Sequence, residues 1–141
     1  MGCTIKVICI QCGYNRPFRI GMRRRNIGPM SLEAPMHTMY TSLENPKIKE
    51  NAFKLIAGGG VLNAANYRLY GCPRCKRLVN RRYSRIVIKE KIYEPTFKCS
   101  KCRRMLLYLH FDSYPNKTFL KWDCPSCSHN RLYIRLWTLW D

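Results

Sequence analysis

Short apolar runs, each broken by charge, recur along the chain, and most have the character of strands rather than helices. Four of them (6–20, KVICIQCGYNRPFRI; 67–79, YRLYGCPRCKRLV; 96–109, TFKCSKCRRMLLYL; 120–136, LKWDCPSCSHNRLYIRL) are rich in β-branched and aromatic residues and are bounded by turn formers. Toward the C-terminus the layout is clearest. A run at 105–111 (MLLYLHF) is followed by the turn-forming DSYPNK at 112–117, a second run at 118–122 (TFLKW) and a last one at 131–139 (RLYIRLWTL). That last run is apolar on both sides, with Leu132, Ile134 and Leu136 on one and Tyr133, Trp137 and Leu139 on the other, and only Arg135 and Thr138 interrupt it. A strand of this kind is expected to be covered on both faces, by the N-terminal part of the chain or by another protein. One helix is predicted, over 45–57: Asn45 is a good N-cap, Pro46 suits the first helical position, Ile48, Ala52, Leu55 and Ile56 share a face, and Gly58 can end it. Residues 22–41 are irregular, with four of the six methionines. Gly58-Gly59-Gly60 reads as a flexible joint and lacks the Lys-Ser/Thr of a phosphate-binding loop.

Each of the four strand-like segments carries a Cys-x-x-Cys pair: Cys9/Cys12, Cys72/Cys75, Cys99/Cys102 and Cys124/Cys127, eight of the nine cysteines in 141 residues. Such a turn offers two thiolates to adjacent corners of a tetrahedron, and two turns complete a four-cysteine site. Eight ligands imply two structural Zn(II) ions, closed to water and substrate, whose binding free energy supports small cores that apolar burial alone would not. Disulfides are disfavoured because the N-terminus has no signal-peptide layout. A thioredoxin-like motif normally occurs once on a βαβ scaffold, which leaves a thiol oxidoreductase as a remote alternative. Cys3 has no partner at ligand spacing and reads as a buried or free thiol. His37, His110 and His129 read as polar or half-buried residues rather than ligands, because the cysteines already fill both sites.

Charge adds a partner to this picture. Twenty-six Lys and Arg against eight Asp and Glu give a formal +18, and eight thiolates with two Zn(II) would lower it to +14, which still predicts attraction to polyanions. More than half of the net charge lies in residues 66–104. The expected nucleic-acid contacts are Arg68, Arg74, Lys76, Arg77, Arg81, Arg82, Arg85, Lys101, Arg103 and Arg104, with Tyr67, Tyr70 and Tyr83 interleaved for base stacking. Arg23-Arg24-Arg25 is either a phosphate clamp or a solvated loop. The acidic residues are dispersed, so no carboxylate cluster for catalytic metals is expected and no catalytic residue is assigned. No stretch reaches transmembrane length, and an intracellular protein (cytoplasmic, or nuclear in a eukaryotic or viral setting) without membrane contact is expected.

Residues 97–139, with knuckle, strand, turn, strand, knuckle and strand in that order, resemble the zinc ribbons of transcription factors and small RNA polymerase subunits, built on rubredoxin-like knuckles. The Asp-Glu pair of transcript-cleavage ribbons is absent, since Asp112 is followed by Ser113. The opening Cys-x-x-Cys-Gly-Tyr with FRIGM is similar to small bacterial zinc-ribbon proteins. The expected fold is thus a small, zinc-stabilised, mainly β protein of two zinc ribbons: 1–92, with an insertion at 20–65 that carries the helix, and 93–141. Consecutive pairing of knuckles, first with second and third with fourth, is preferred because sequential elements tend to be neighbours and DSYPNK is the strongest turn. The rival nested order, first with fourth and second with third, resembles the zinc domain of DnaJ-type chaperones. The expected function is non-catalytic binding of DNA or RNA through the 68–104 surface, with docking on a larger transcription, replication or ribosomal assembly. An adaptor that docks through its apolar C-terminal strand is the alternative.

Overall fold

A computed structural model of the chain describes residues 2–21, 45–110 and 118–140; Arg23-Arg24-Arg25, His37 and the turn at 112–117 lie outside these. The described elements are mainly β with one short helix: β1 (Gly2–Ile8), β2 (Asn15–Gly21), α1 (Pro46–Ala57), β3 (Val61–Gly71), β4 (Leu78–Ile88), β5 (Lys91–Tyr93), β6 (Leu107–Tyr108), β7 (Thr118–Leu120) and β8 (Leu132–Trp140). They form one antiparallel sheet in the order β5-β4-β3-β2-β1-β8-β7, with β6 added beside β3.

Local signals account for the hairpins and the helix. In β1 the alternate residues Cys3, Ile5 and Val7 are buried, and the side chains between them are partly exposed. α1 begins as expected: the Asn45 side-chain oxygen accepts from the Lys47 N–H at 2.9 Å, Pro46 occupies the first turn, and Gly58 donates back to Lys54. The helix lays Ala52, flanked by Ile48, Leu55 and Ile56, over Leu62, Ala65 and Ile86 of β3 and β4. Among the described residues no helix is long and apolar enough to cross a membrane.

The pairing of knuckles is not the expected one. Long-range strand pairing decides it. β8 lies against β1 over nearly its whole length, from Gly2 opposite Trp140 to Ile8 opposite Tyr133. The first knuckle directly follows β1 and the fourth directly precedes β8, so this pairing brings them together. The second knuckle is the turn of the β3–β4 hairpin, where Gly71 faces Leu78. β6 returns to β3, with Leu107 opposite Gly71, and carries the third knuckle to the second. The order is nested, and the expected consecutive order is corrected. Residues 97–139 do not form a separate three-stranded ribbon, because β6 pairs with β3 and the β7–β8 hairpin joins β1. Each cysteine group takes one knuckle from either side of the expected boundary at 92/93.

The last strand finds one of its two expected covers within the described residues. Leu132 and Ile134 are fully buried in the main core with Ile5, Val7, Phe18, Leu69, Leu109 and Leu120. The opposite face is open: Trp137 is 53% exposed. Among the described residues β8 is covered on one face, and its outward positions mix aromatic rings with Arg135 and Thr138.

Candidate metal centres and basic surface

All four knuckles share one backbone design. In the first, the Cys9 N–H donates to the Tyr14 carbonyl at 2.8 Å, and the Gly13 N–H donates to the Cys9 carbonyl at 2.9 Å. The same two bonds recur as Cys72 to Arg77 and Lys76 to Cys72, Cys99 to Arg104 and Arg103 to Cys99, and Cys124 to His129 and Ser128 to Cys124, all between 2.7 and 3.0 Å. The turn needs a left-handed residue just after the second cysteine. Gly13, Lys76, Arg103 and Ser128 supply it, with φ of 74°, 58°, 63° and 61°. Folded this way, the turn aims both sulfurs to one side and its own N–H groups at them: Cys75 N–H lies 3.3 Å from Cys72 Sγ, and Ser126 N–H 3.4 Å from Cys124 Sγ.

The sulfurs converge in two groups, Cys9/Cys12/Cys124/Cys127 and Cys72/Cys75/Cys99/Cys102, with all ligand atoms within 4.8 Å of one another in each. Cys9 Sγ is 3.6 Å from Cys127 Sγ, Cys12 Sγ is 3.7 Å from Cys124 Sγ, and Cys72 Sγ is 3.4 Å from Cys102 Sγ. A disulfide holds its sulfurs at about 2.05 Å, so these are not disulfides. A metal–sulfur bond of about 2.3 Å sets the tetrahedral edge at about 3.8 Å, and the observed separations match that edge. The donor set and spacing therefore fit a tetrahedral, thiolate-preferring metal ion at each group. The groups differ in shelter: Cys12 and Cys127 of the first are exposed, whereas no cysteine of the second is.

The thiols are electrostatically uneven. Burial pushes the Cys9 thiol up, but the N–H groups of Cys12 and Gln11 outweigh it and bring it down to about 7. The N–H groups of Cys102 and Lys101 lower Cys99 to about 6. Cys75 goes the other way, pushed up to about 12 by the neighbouring Cys102 sulfur and by burial. Cys127 also rises to about 12: the His129 N–H favours its thiolate, but burial and the three other sulfurs prevail. Backbone donors thus favour the thiolate at some sulfurs, and the crowding of four sulfurs favours the protonated form at others.

Trp122 and Asp123, just before Cys124, tie the two groups together. The Trp122 indole N–H donates to the Lys76 carbonyl at 2.9 Å, and Lys76 Nζ pairs with Asp123 Oδ2 at 2.9 Å. The indole reaches the second knuckle because position 71 is glycine; a Cβ there would lie 2.4 Å from the ring.

The ten cations expected to contact nucleic acid stand in different settings. Nested pairing gathers Arg74 and Arg77 of the second knuckle with Lys101, Arg103 and Arg104 of the third, all exposed, around one cysteine group. Arg77 bridges the two knuckles through a 3.4 Å hydrogen bond to Ser100 Oγ. Lys98, exposed beside Cys99, joins this set and was absent from the expected one. The other five are placed differently. Arg68 lies over the Tyr83 and Tyr108 rings, 3.3 and 4.6 Å from their centroids, and its Nε donates to Asn66. Arg85 faces Glu94 at 3.7 Å, Glu94 also accepts from the Tyr83 hydroxyl, and Lys76 holds Asp123. Arg81 and Arg82, neighbours on β4, line a hollow of about 430 Å³ with Lys98 and the start of α1. Of the interleaved tyrosines, Tyr70 and Tyr83 are buried, and Tyr67 lies beneath the Arg82 guanidinium. His110 is exposed, with its ring 4.0 Å from that of Tyr108, and His129 contributes its carbonyl to the fourth knuckle. Cys3 is buried in the main core, and burial raises its thiol.

No protein family matches the chain, nor does any curated protein or any solved structure.

Proposed function

We propose that the protein holds a structural Zn(II) at each four-cysteine group and binds nucleic acid, without catalysis, through the cations of the second and third knuckles. The observation that carries this reading is the convergence of Arg74, Arg77, Lys98, Lys101, Arg103 and Arg104 on one rigid knuckle pair. Three of the four acidic side chains in the described chain, Glu50, Glu94 and Asp123, are engaged with Lys54, Arg85 and Lys76, which leaves this cluster strongly positive. Exposed cations on rigid turns suit phosphate contacts, which position a nucleic acid without reading its sequence. Four thiolates per ion leave no coordination position for a substrate, which supports a structural metal over a catalytic one.

The reading is tested by measuring binding to a DNA duplex and an RNA strand over a range of salt. Affinity should fall by roughly 0.7–0.9 log units per log of salt for each phosphate neutralised. Changing Arg77, Arg103 and Arg104 together to Ala should flatten the slope by about two to three units without loss of metal. Binding that responds to neither salt nor these changes contradicts the reading and favours an acidic protein as partner.

A further inference from the structure

The open face of the sheet around β1, β7 and β8 has a composition that the knuckle surface lacks. Cross-strand register sets Lys6 opposite Arg135, Ile8 opposite Tyr133 and Phe119 opposite Tyr133, so these side chains share the face turned away from the core. Trp137 joins them through a bulge. Thr4 pairs with Thr138 and Ile5 with Leu136, so Trp137 has no partner of its own on β1 and stands out from the strand. Phe119 is 57% exposed and Trp137 53%.

Each ring has a cation or another ring beside it. Lys6 Nζ sits 3.6 Å from the Trp137 ring centroid, the Arg131 guanidinium lies 5.6 Å from that of Phe119, and Phe119 meets Tyr133 edge-on at 5.6 Å. A hollow of about 300 Å³ opens between Lys6, Ile8, Asn15, Arg135 and Trp137. No acidic residue occurs on β1, β2, β7 or β8. A protein partner for an apolar patch would be met by a ring of mixed polarity. Here aromatic rings are interspersed with cations and no carboxylate, which complements a chain that carries both flat apolar groups and regular negative charge.

We propose that this face is a stacking platform for single-stranded nucleic acid: Trp137, Phe119 and Tyr133 receive unpaired bases, while Lys6, Arg131 and Arg135 follow the phosphates. Binding exchanges the contact between the Lys6 ammonium and the Trp137 ring for one between that ammonium and a phosphate. A duplex, with its bases already stacked, cannot use the rings. This inference deepens the nucleic-acid reading and rests on it, but it uses different residues from the knuckle cations, so the two fail separately.

The test compares oligothymidylate with an abasic strand of the same length and charge. The intact protein should prefer oligothymidylate, and Trp137→Ala or Phe119→Ala should each lower that affinity by roughly 5- to 150-fold while leaving the abasic strand unaffected. Trp137→Phe should restore most of the loss. Ultraviolet cross-linking of the unsubstituted protein to oligothymidylate, mapped by mass spectrometry, should place the adduct on β7 or β8, which settles the location even if a variant fails to fold. Equal affinity for the two strands, or adducts confined to the second and third knuckles, overturns the platform and leaves the knuckle reading standing. Failure to bind either strand also overturns the platform, and the knuckle reading falls with it only if a DNA duplex is not bound either.

Discussion

The residue after the second cysteine of each knuckle carries the main conformational demand of the metal sites. With φ between 58° and 74°, Gly13, Lys76, Arg103 and Ser128 let one N–H turn back to the first cysteine's carbonyl. Only Gly13 announces this in the sequence. The other three bear a Cβ in the left-handed region, and the two backbone bonds of the turn must hold them there. Gly13→Ala meets no neighbour within 4 Å, so its cost is backbone strain alone, about 1–2 kcal/mol. Arg103→Gly should change stability by less than about 1 kcal/mol, because relief of strain offsets the greater freedom of glycine in the unfolded chain. Urea unfolding at fixed free zinc checks both, and a large loss for Arg103→Gly would show that the side chain, not the turn, is what the position requires. The cysteines themselves were legible from spacing, since Cys-x-x-Cys suffices to define the turn. The roles of Arg68, Lys76 and Arg85 were not. A cation in a basic stretch looks the same in sequence whether it faces solvent or spans an aromatic ring or a carboxylate.

Among the elements, α1 was readable because its signals are local: Asn45, Pro46 and the face formed by Ile48, Ala52 and Leu55 lie within one segment. β6 was legible as part of the run at 105–111, but its pairing with Tyr70 and Gly71, far earlier in the chain, was not. The link between the β3–β4 hairpin and the β7–β8 hairpin is likewise invisible until Trp122 is seen over Gly71. Replacing Gly71 by Ala should displace the indole, break its hydrogen bond to the Lys76 carbonyl and cost about 1–3 kcal/mol by overpacking. Trp122→Leu in the same background should recover part of that loss, so the two changes should be non-additive in a double-mutant cycle. Additive effects would mean that the indole does not join the hairpins.

At the scale of the whole molecule, the fold is organised by the pairing of its first and last described strands. Preference for sequential neighbours and the strong turn at 112–117 both pointed to consecutive knuckles, and both are statements about local chain. The register of β1 with β8 reflects burial of Ile5, Val7, Leu132 and Ile134 in one core, which no local signal encodes. The consequence is a nested pair of four-cysteine groups: the outer joins residues far apart in sequence and encloses the inner, and a metal held at each would cross-link them. Closing such long loops removes substantial entropy from the unfolded chain, so the metals should stabilise the molecule as a whole rather than two separate ribbons. The most direct test counts metal ions in two double variants by elemental analysis. Cys12→Ser with Cys127→Ser damages only the outer group and should leave one ion of zinc per chain, whereas Cys12→Ser with Cys75→Ser damages both groups and should leave almost none. The reverse result, loss of both ions in the first variant and retention of one in the second, would mean that consecutive knuckles pair and would contradict the nested fold.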